Sequence, residues 1–140
     1  DFLNSIAVND FELWDEGLGW LAFRLVRPNC QDGYPFSCKA WGPAKDVYSV
    51  WIPIVGFCDE QTINIMPGSH VKEHEKYLPI ETKFCKDEYR LKNEPHSYEC
   101  IRPTFKRGEA LIFHPRLIHS EDITAGDESR FNLEFRIKVN

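Results

Sequence analysis

The chain has 140 residues, with 17 Lys and Arg against 22 Asp and Glu, and a formal net charge of −5 at pH 7. The charges form no basic stripe, which argues against nucleic acid as a partner. The longest apolar run, Val50 to Phe57, contains a proline and is too short to cross a bilayer, so no membrane contact is predicted. Five cysteines without a Cys-x-x-Cys pair favour a reduced, cytoplasmic chain over a disulfide-linked secreted one.

The first predicted element is a helix from Phe2 to Glu16, which has an imperfect apolar face and which Gly17 and Gly19 would end. It makes residues 1–19 a helical lead-in and residues 20–140 a β core within one domain. Short apolar runs punctuated by turn residues predict the following strands: Trp20 to Arg27, Tyr34 to Trp41, Val47 to Val55, Thr62 to Met66, Tyr77 to Phe84, Ser97 to Ile101, Ala110 to His114, Leu117 to His119 and Arg130 to Val139. So many short strands in one small domain predict an all-β sandwich, barrel or jelly roll.

The last predicted strand shows the clearest pattern, because apolar and polar residues alternate along all of it. This alternation predicts a strand with one dry face. The predicted dry face consists of Phe131, Leu133, Phe135, Ile137 and Val139, and the other face of Arg130, Asn132, Glu134, Arg136 and Lys138.

Two side chains with useful chemistry flank the turn before this strand. His119 ends one β-arm and Arg130 opens the next. An imidazole can bind a metal and a guanidinium can bind a carboxylate, and one barrel could hold both facing inward. A strand histidine is more often an ordinary barrel residue, and an arginine at a strand end is usually solvated, so the pair alone is weak evidence for a site.

Several ordered motifs together give a family resemblance. They comprise Arg27-Pro28, Val50-Trp51-Ile52-Pro53-Ile54, Asp59 to His70 with its Pro67-Gly68-Ser69-His70 turn, Gly108 to Phe113, and His119 to Arg136. In this order and spacing the chain resembles the phytanoyl-CoA dioxygenase family of the iron(II)/2-oxoglutarate oxygenase superfamily, over about Trp20 to Lys138. The resemblance implies a double-stranded β-helix, a cupin-like jelly roll whose site lies at one open end.

The resemblance also implies roles for individual residues. His119 would be a metal ligand, Arg130 the anchor for the far carboxylate of the 2-oxoacid, and Trp51 part of the co-substrate pocket. His70 would be structural. Iron(II) and 2-oxoglutarate are therefore the cofactors of an active enzyme of this kind.

The sequence departs from the family pattern at the remaining metal ligands. The family's His-x-Asp or His-x-Glu pair should fall at Ser37 and Lys39, and neither residue is a good iron ligand. Lys39 places a cation where the family has an anion. A second departure is Glu121, where relatives often have a small or hydroxyl residue near the 2-oxoacid. Its carboxylate would oppose anion binding unless a neighbouring cation neutralises it.

Three other arrangements of chemically active residues are conceivable. A rearranged metal site could use Cys38, His114 and His119, although strand parity gives no reason for the three to converge. The His-x-x-Glu-His pattern from His70 to His74 follows a turn and lacks the helix that a zinc peptidase requires. Ser37, His119 and Glu121 can be drawn as a triad, but nothing resembles a nucleophile elbow.

Two functions follow from these residues. The favoured one is a jelly-roll protein with a degraded metal site, in which Lys39, Arg130 and His119 face a pocket that binds a small anionic ligand without iron. The alternative is an active iron(II)/2-oxoglutarate-dependent hydroxylase of a small organic substrate that uses substitute metal ligands. The expected partner is a small molecule, which loops between Lys72 and Pro103 would select. A homodimer, in which a second copy covers an exposed sheet face, is a further hypothesis.

Overall fold

The computed structural model describes residues 11–14, 21–30, 32, 37–39, 46–57, 62–71, 77–80, 88–91, 99–121, 123 and 126–139, with the backbone alone for 37–39, 77–80 and 88–91. The strands in these residues are β1 (Phe11–Leu13), β2 (Leu21–Val26), β3 (Ser37–Lys39), β4 (Val47–Val55), β5 (Asn64–Ile65), β6 (Tyr77–Ile80), β7 (Glu88–Leu91), β8 (Leu111–Phe113), β9 (His119–Ser120) and β10 (Arg130–Val139). A 3-10 turn spans Ser69–Val71. Within the same described ranges, no helix is long and apolar enough to cross a bilayer.

The strands form two antiparallel sheets, and the prediction of an all-β jelly roll is confirmed. The first sheet has the order β1-β10-β4-β8, with β2 also paired to β10, and the second has the order β5-β9-β3-β7-β6. The strand β10 lies at the centre of the first sheet because β4 pairs along one edge and β2 and β1 share the other. The chain's longest alternating segment thus organises the larger sheet.

The predicted N-terminal helix is wrong over Phe11–Leu13. These residues form β1, with Phe11 opposite Val139 and Leu13 opposite Ile137. Phe11 and Leu13 are two residues apart, so a short apolar run here fits a strand as well as a helix. The rest of the predicted helix lies outside the described residues, and the predicted division at residue 19 stays a prediction.

Other strand boundaries also differ from those predicted. The strand β7 was not predicted. The predicted strand ending at Ile101 is reduced, in the described residues, to a single bridge between Ile101 and Ile65.

The predicted dry face of β10 is wrong over the first half of the strand, whereas Ile137 near its end is buried as predicted. Arg130 and Asn132 have no solvent exposure. By contrast, Phe131 on the other face stacks on Phe23, with ring centroids 5.6 Å apart, and Phe23 itself is 62% exposed. The polar residues at the start of β10 therefore face the inside of the barrel.

An apolar cluster fills the barrel beside this polar row. It contains Trp51, Ile63, Ile65, Phe113 and Leu117, with Phe105 and Leu111 packed against it. The Trp51 and Phe105 rings are 5.2 Å apart. The Pro67-Gly68 turn behind the cluster has the positive φ predicted for Gly68, 75°, and the Ser69 hydroxyl that follows accepts a 2.8 Å hydrogen bond from the Ile118 amide. This bond ties the turn to the segment that leads into β9.

Candidate functional site

The inner face of β10 supplies a row of buried polar side chains. Arg130 and Asn132 are fully buried, and Glu134 is 8% exposed. Strand register places Arg24 of β2 opposite Asn132, and Trp51 of β4 opposite Glu134. Because residues that are directly opposite share a face of the sheet, all five side chains belong to one inner surface.

Arg130 lies between an aromatic ring and a carboxylate. Its Cζ is 5.5 Å from the centroid of the Trp51 ring, and its Nη2 is 3.3 Å from Oε1 of Glu121. Burial lowers the pKa of the Arg130 guanidinium, and the Glu121 charge opposes that shift. An arginine side chain remains protonated even when it is buried, so Arg130 is a permanent cation inside the barrel. The structure therefore brings together three residues that the sequence had singled out.

Glu134 is held ionised by two arginines. The Arg136 Nη1 donates a 2.9 Å hydrogen bond to its Oε1, and the Arg24 Nε is 3.3 Å from its Oε2. Burial alone would raise the pKa of Glu134, but the charges of Arg136, Arg24 and His119 outweigh it and lower the pKa to about 2. Glu134 is thus an anion whose two oxygens are already committed to guanidinium groups.

His119 is a half-buried imidazole inside the barrel. Its Nδ1 lies 2.8 Å from the Leu117 carbonyl oxygen, so this nitrogen carries the proton and donates it. Burial lowers the pKa of His119, and nearby carboxylates only partly offset that shift. Its ring contacts Phe113 edge-on, with centroids 5.0 Å apart. The Nε2 lone pair is consequently the atom that His119 offers to a ligand.

The remaining predicted ligand positions lie on the neighbouring strand. The Cα of Ser37 is opposite that of His119, and Lys39 follows two residues later on β3. Register thus pairs Ser37 with His119 across β3 and β9. Among the side chains that the structure describes, no three from His, Cys, Asp and Glu are grouped so that they could hold a metal ion.

His114, a member of the rearranged metal site weighed from sequence, has other neighbours. It stacks on His70 with centroids 5.7 Å apart and meets Tyr48 edge-on at 6.4 Å. Its Nδ1 accepts a 3.1 Å hydrogen bond from the Arg116 amide. Since the Cys38 side chain lies outside the described residues, the rearranged site stays a hypothesis.

Several buried polar atoms in the barrel form no hydrogen bond within the described structure. They are both amide atoms of Asn132, Nε1 of Trp51, Oγ1 of Thr62 and Oγ of Ser120. An unsatisfied buried polar atom costs about 1–3 kcal/mol. Such a group of atoms is expected where a polar ligand or ordered water binds. Asn132, with two unsatisfied atoms and no exposure, is the strongest sign of a ligand site.

Sequence reasoning missed Arg24, Asn132 and Glu134 as site residues. Asn132 and Glu134 belong to the polar face of β10, which the alternation indicates, but that face was predicted to lie in solvent. Arg24 gave no signal of its own, because only its register with Asn132 places it in the barrel.

Comparison with known proteins gives one family and one fold. The model of the family Phytanoyl-CoA dioxygenase (PhyH) matches residues 30–130. No curated protein has a significant match to the chain.

The solved structures with similar folds are distant in sequence. The non-heme monooxygenase ThoJ in its apo form superposes with a TM-score of 0.69 at 14% identity, and the match covers 99% of this chain and 51% of ThoJ. For EvdMO1 the TM-score is 0.64 at 17% identity, over 93% of this chain and 28% of that one. The epimerase SnoN, in complex with Fe3+, alpha ketoglutarate and nogalamycin RO, gives 0.61 at 17%, over 85% and 48%. The chain therefore spans about half, or less, of the length of these proteins.

Proposed function

The chain belongs to the phytanoyl-CoA dioxygenase family, within the iron(II)/2-oxoglutarate oxygenase superfamily, and from that premise we propose that its barrel binds a small carboxylate-bearing ligand without iron. The observation that carries the proposal is the buried charge cluster. The described ion pairs of this cluster join Arg24, Arg130 and Arg136 to Glu121 and Glu134. Arg130 is fully buried, with its Nη2 3.3 Å from Glu121, and a guanidinium inside a barrel is well suited to bind a carboxylate through two hydrogen bonds.

Uncharged donors around the cluster suit the same ligand. Among the residues that the structure describes, the buried Asn132 amide and Trp51 Nε1–H have no hydrogen-bond partner. Both can donate to a carboxylate oxygen. A carboxylate could thus be held by one guanidinium and by neutral donors, which gives orientation as well as charge compensation.

The donor set does not fit iron(II). The family uses two histidines and a carboxylate, whereas in the described part of the chain His119 is the one imidazole in the cluster, and the family pattern puts Ser37 and Lys39 at the other positions. Glu134 is a candidate for a substitute, but its oxygens are committed to Arg24 and Arg136. An iron ligand there would have to break two ion pairs.

The test is isothermal titration of the protein with acetate, succinate and 2-oxoglutarate in the presence of a chelator. We expect saturable binding of at least one of the three. Arg130→Lys should weaken it at least 10-fold, because lysine keeps the charge but loses the two-pronged hydrogen bonding of the guanidinium. The matched control is Arg107→Lys at an exposed position, which should leave the affinity unchanged.

An active hydroxylase remains the alternative, and one observation favours it. His119 and Arg130 both lie inside the barrel, where a metal ligand and a 2-oxoacid anchor are required. When the titration is repeated without the chelator, binding of 2-oxoglutarate only after a divalent metal is added would establish this alternative and overturn the proposal.

A further inference from the structure

The residue that the proposed ligand site does not explain is Glu121. It follows β9, is 7% exposed, and lies in the barrel against the arginine that the ligand needs. Its Oε1 is 3.3 Å from Nη2 of Arg130, and its Oε2 is 3.6 Å from Nη1 of Arg24. One carboxylate therefore bridges two guanidinium groups.

The contact of Glu121 with Arg130 is looser than a strong ion pair. Charge-assisted hydrogen bonds between a guanidinium and a carboxylate are usually about 2.7–2.9 Å long. Here the two atoms are 3.3 Å apart, and Oε1 of Glu121 accepts no hydrogen bond from the described part of the chain. A ligand carboxylate that formed two well-aligned hydrogen bonds would bind Arg130 better than Glu121 does.

Arg24 gives Glu121 a second partner if such a ligand arrives. Its side chain is 40% exposed, and it already lies beside Oε2 of Glu121 and Oε2 of Glu134. A displaced Glu121 would therefore keep a cationic neighbour, and its charge would not be left buried alone. Displacement then costs much less than breaking an isolated buried pair.

We propose that Glu121 is a built-in competitor for the ligand carboxylate, which occupies Arg130 in the free protein and shifts to Arg24 when a ligand binds. This inference rests on the proposed carboxylate site and adds a selection rule to it. A neutral molecule cannot displace Glu121, because it offers Arg130 no charge in return. The site therefore admits carboxylates that bind a guanidinium through two oxygens and rejects neutral analogues.

The test uses a double-mutant cycle of Glu121→Gln and Arg24→Gln, titrated with acetate, succinate and 2-oxoglutarate in the presence of a chelator. Glu121→Gln removes the competing charge at nearly constant shape, so carboxylate affinity should rise about 10-fold or more. Arg24→Gln should weaken binding about 10-fold in the presence of Glu121, because the displaced carboxylate loses its second partner. In the Glu121→Gln background, Arg24→Gln should have little effect. Glu128→Gln, the same charge change at an exposed position, controls for net charge.

Each outcome separates this inference from the proposed site. If neither the wild type nor Glu121→Gln binds any of the three carboxylates, the proposed site itself is wrong. If both bind with equal affinity, or Glu121→Gln binds more weakly, the site stands and the competitor role is overturned. If Arg24→Gln lowers carboxylate affinity equally with and without Glu121, Arg24 contacts the ligand directly. That result would overturn the proposed shift of Glu121 from Arg130 to Arg24.

Thermal unfolding of each variant shows whether it is folded. Should Glu121→Gln not fold, Glu121→Asp replaces it in the cycle. The shorter side chain keeps the charge but withdraws it from Arg130, and the expected gain in affinity has the same sign.

Discussion

Replacing Arg130 with methionine is expected to lower the free energy of unfolding by about 3–5 kcal/mol, a typical cost of removing one partner from a buried ion pair. The guanidinium is fully buried and lies beside both Glu121 and the Trp51 ring. Without it, the one described ion pair left to the Glu121 carboxylate is the contact with Arg24 at 3.6 Å. Chemical denaturation of the wild type and the variant measures the difference.

A second substitution separates the charge from the packing. If the buried Glu121 charge causes the loss, Arg130→Met combined with Glu121→Leu should recover most of it, because the pair is then replaced by apolar side chains. Arg107→Met, at an exposed position, should change stability by less than about 0.5 kcal/mol. A loss below about 1 kcal/mol for Arg130→Met alone would contradict the buried pair.

The second large effect is expected at Gly56, which follows β4 and packs against the start of β10. Its φ is 69°, and a Cβ there would meet the carbonyl oxygen of Ser129 and would lie 2.9 Å from the Cα of Arg130. Gly56→Ala combines a strained backbone with a clash against main-chain atoms that cannot rotate away. We expect a loss of about 3 kcal/mol or more, together with weaker carboxylate binding, since Arg130 must move.

Gly108→Ala is the matched control for this substitution. Gly108 also has a positive φ, 89°, but a Cβ there would meet nothing within 4 Å. Only the backbone strain remains, about 1 kcal/mol. Equal losses for the two alanine variants would show that the close approach of Gly56 to the start of β10 is not a constraint.

The fold could be predicted from sequence to a large extent, because turn residues and alternation define strands locally. The pattern of β10 is an instructive failure. Period-two alternation establishes that a strand has two different faces, but not which face is inside. Apolar side chains are usually the buried ones, but this barrel keeps Arg130, Asn132 and Glu134 inside, so only the first half of β10 has the orientation opposite to the prediction. A β-bulge between Phe131 and Asn132 also shifts the register to β4.

Some residues of the candidate site could also be predicted from sequence, and others could not. Arg130, Trp51, Glu121 and His119 were predicted because the order of motifs resembles a family, and all four lie in the barrel, although their roles stay predictions. Asn132, Glu134 and Arg24 depend on tertiary register. Arg24 comes from a strand more than 100 residues from Asn132 in the sequence, and only their pairing across β2 and β10 joins them. No local pattern encodes such a contact.

The most direct test of the central claim is an anaerobic calorimetric titration of the metal-free protein with manganese(II), as a surrogate for iron(II), with and without 2-oxoglutarate. An iron-free carboxylate site predicts no metal binding that depends on His119, and 2-oxoglutarate affinity that is the same whether or not the metal is present. Stoichiometric micromolar metal binding that strengthens with 2-oxoglutarate and disappears in His119→Ala would contradict the account and would mean that substitute ligands complete the family's metal centre.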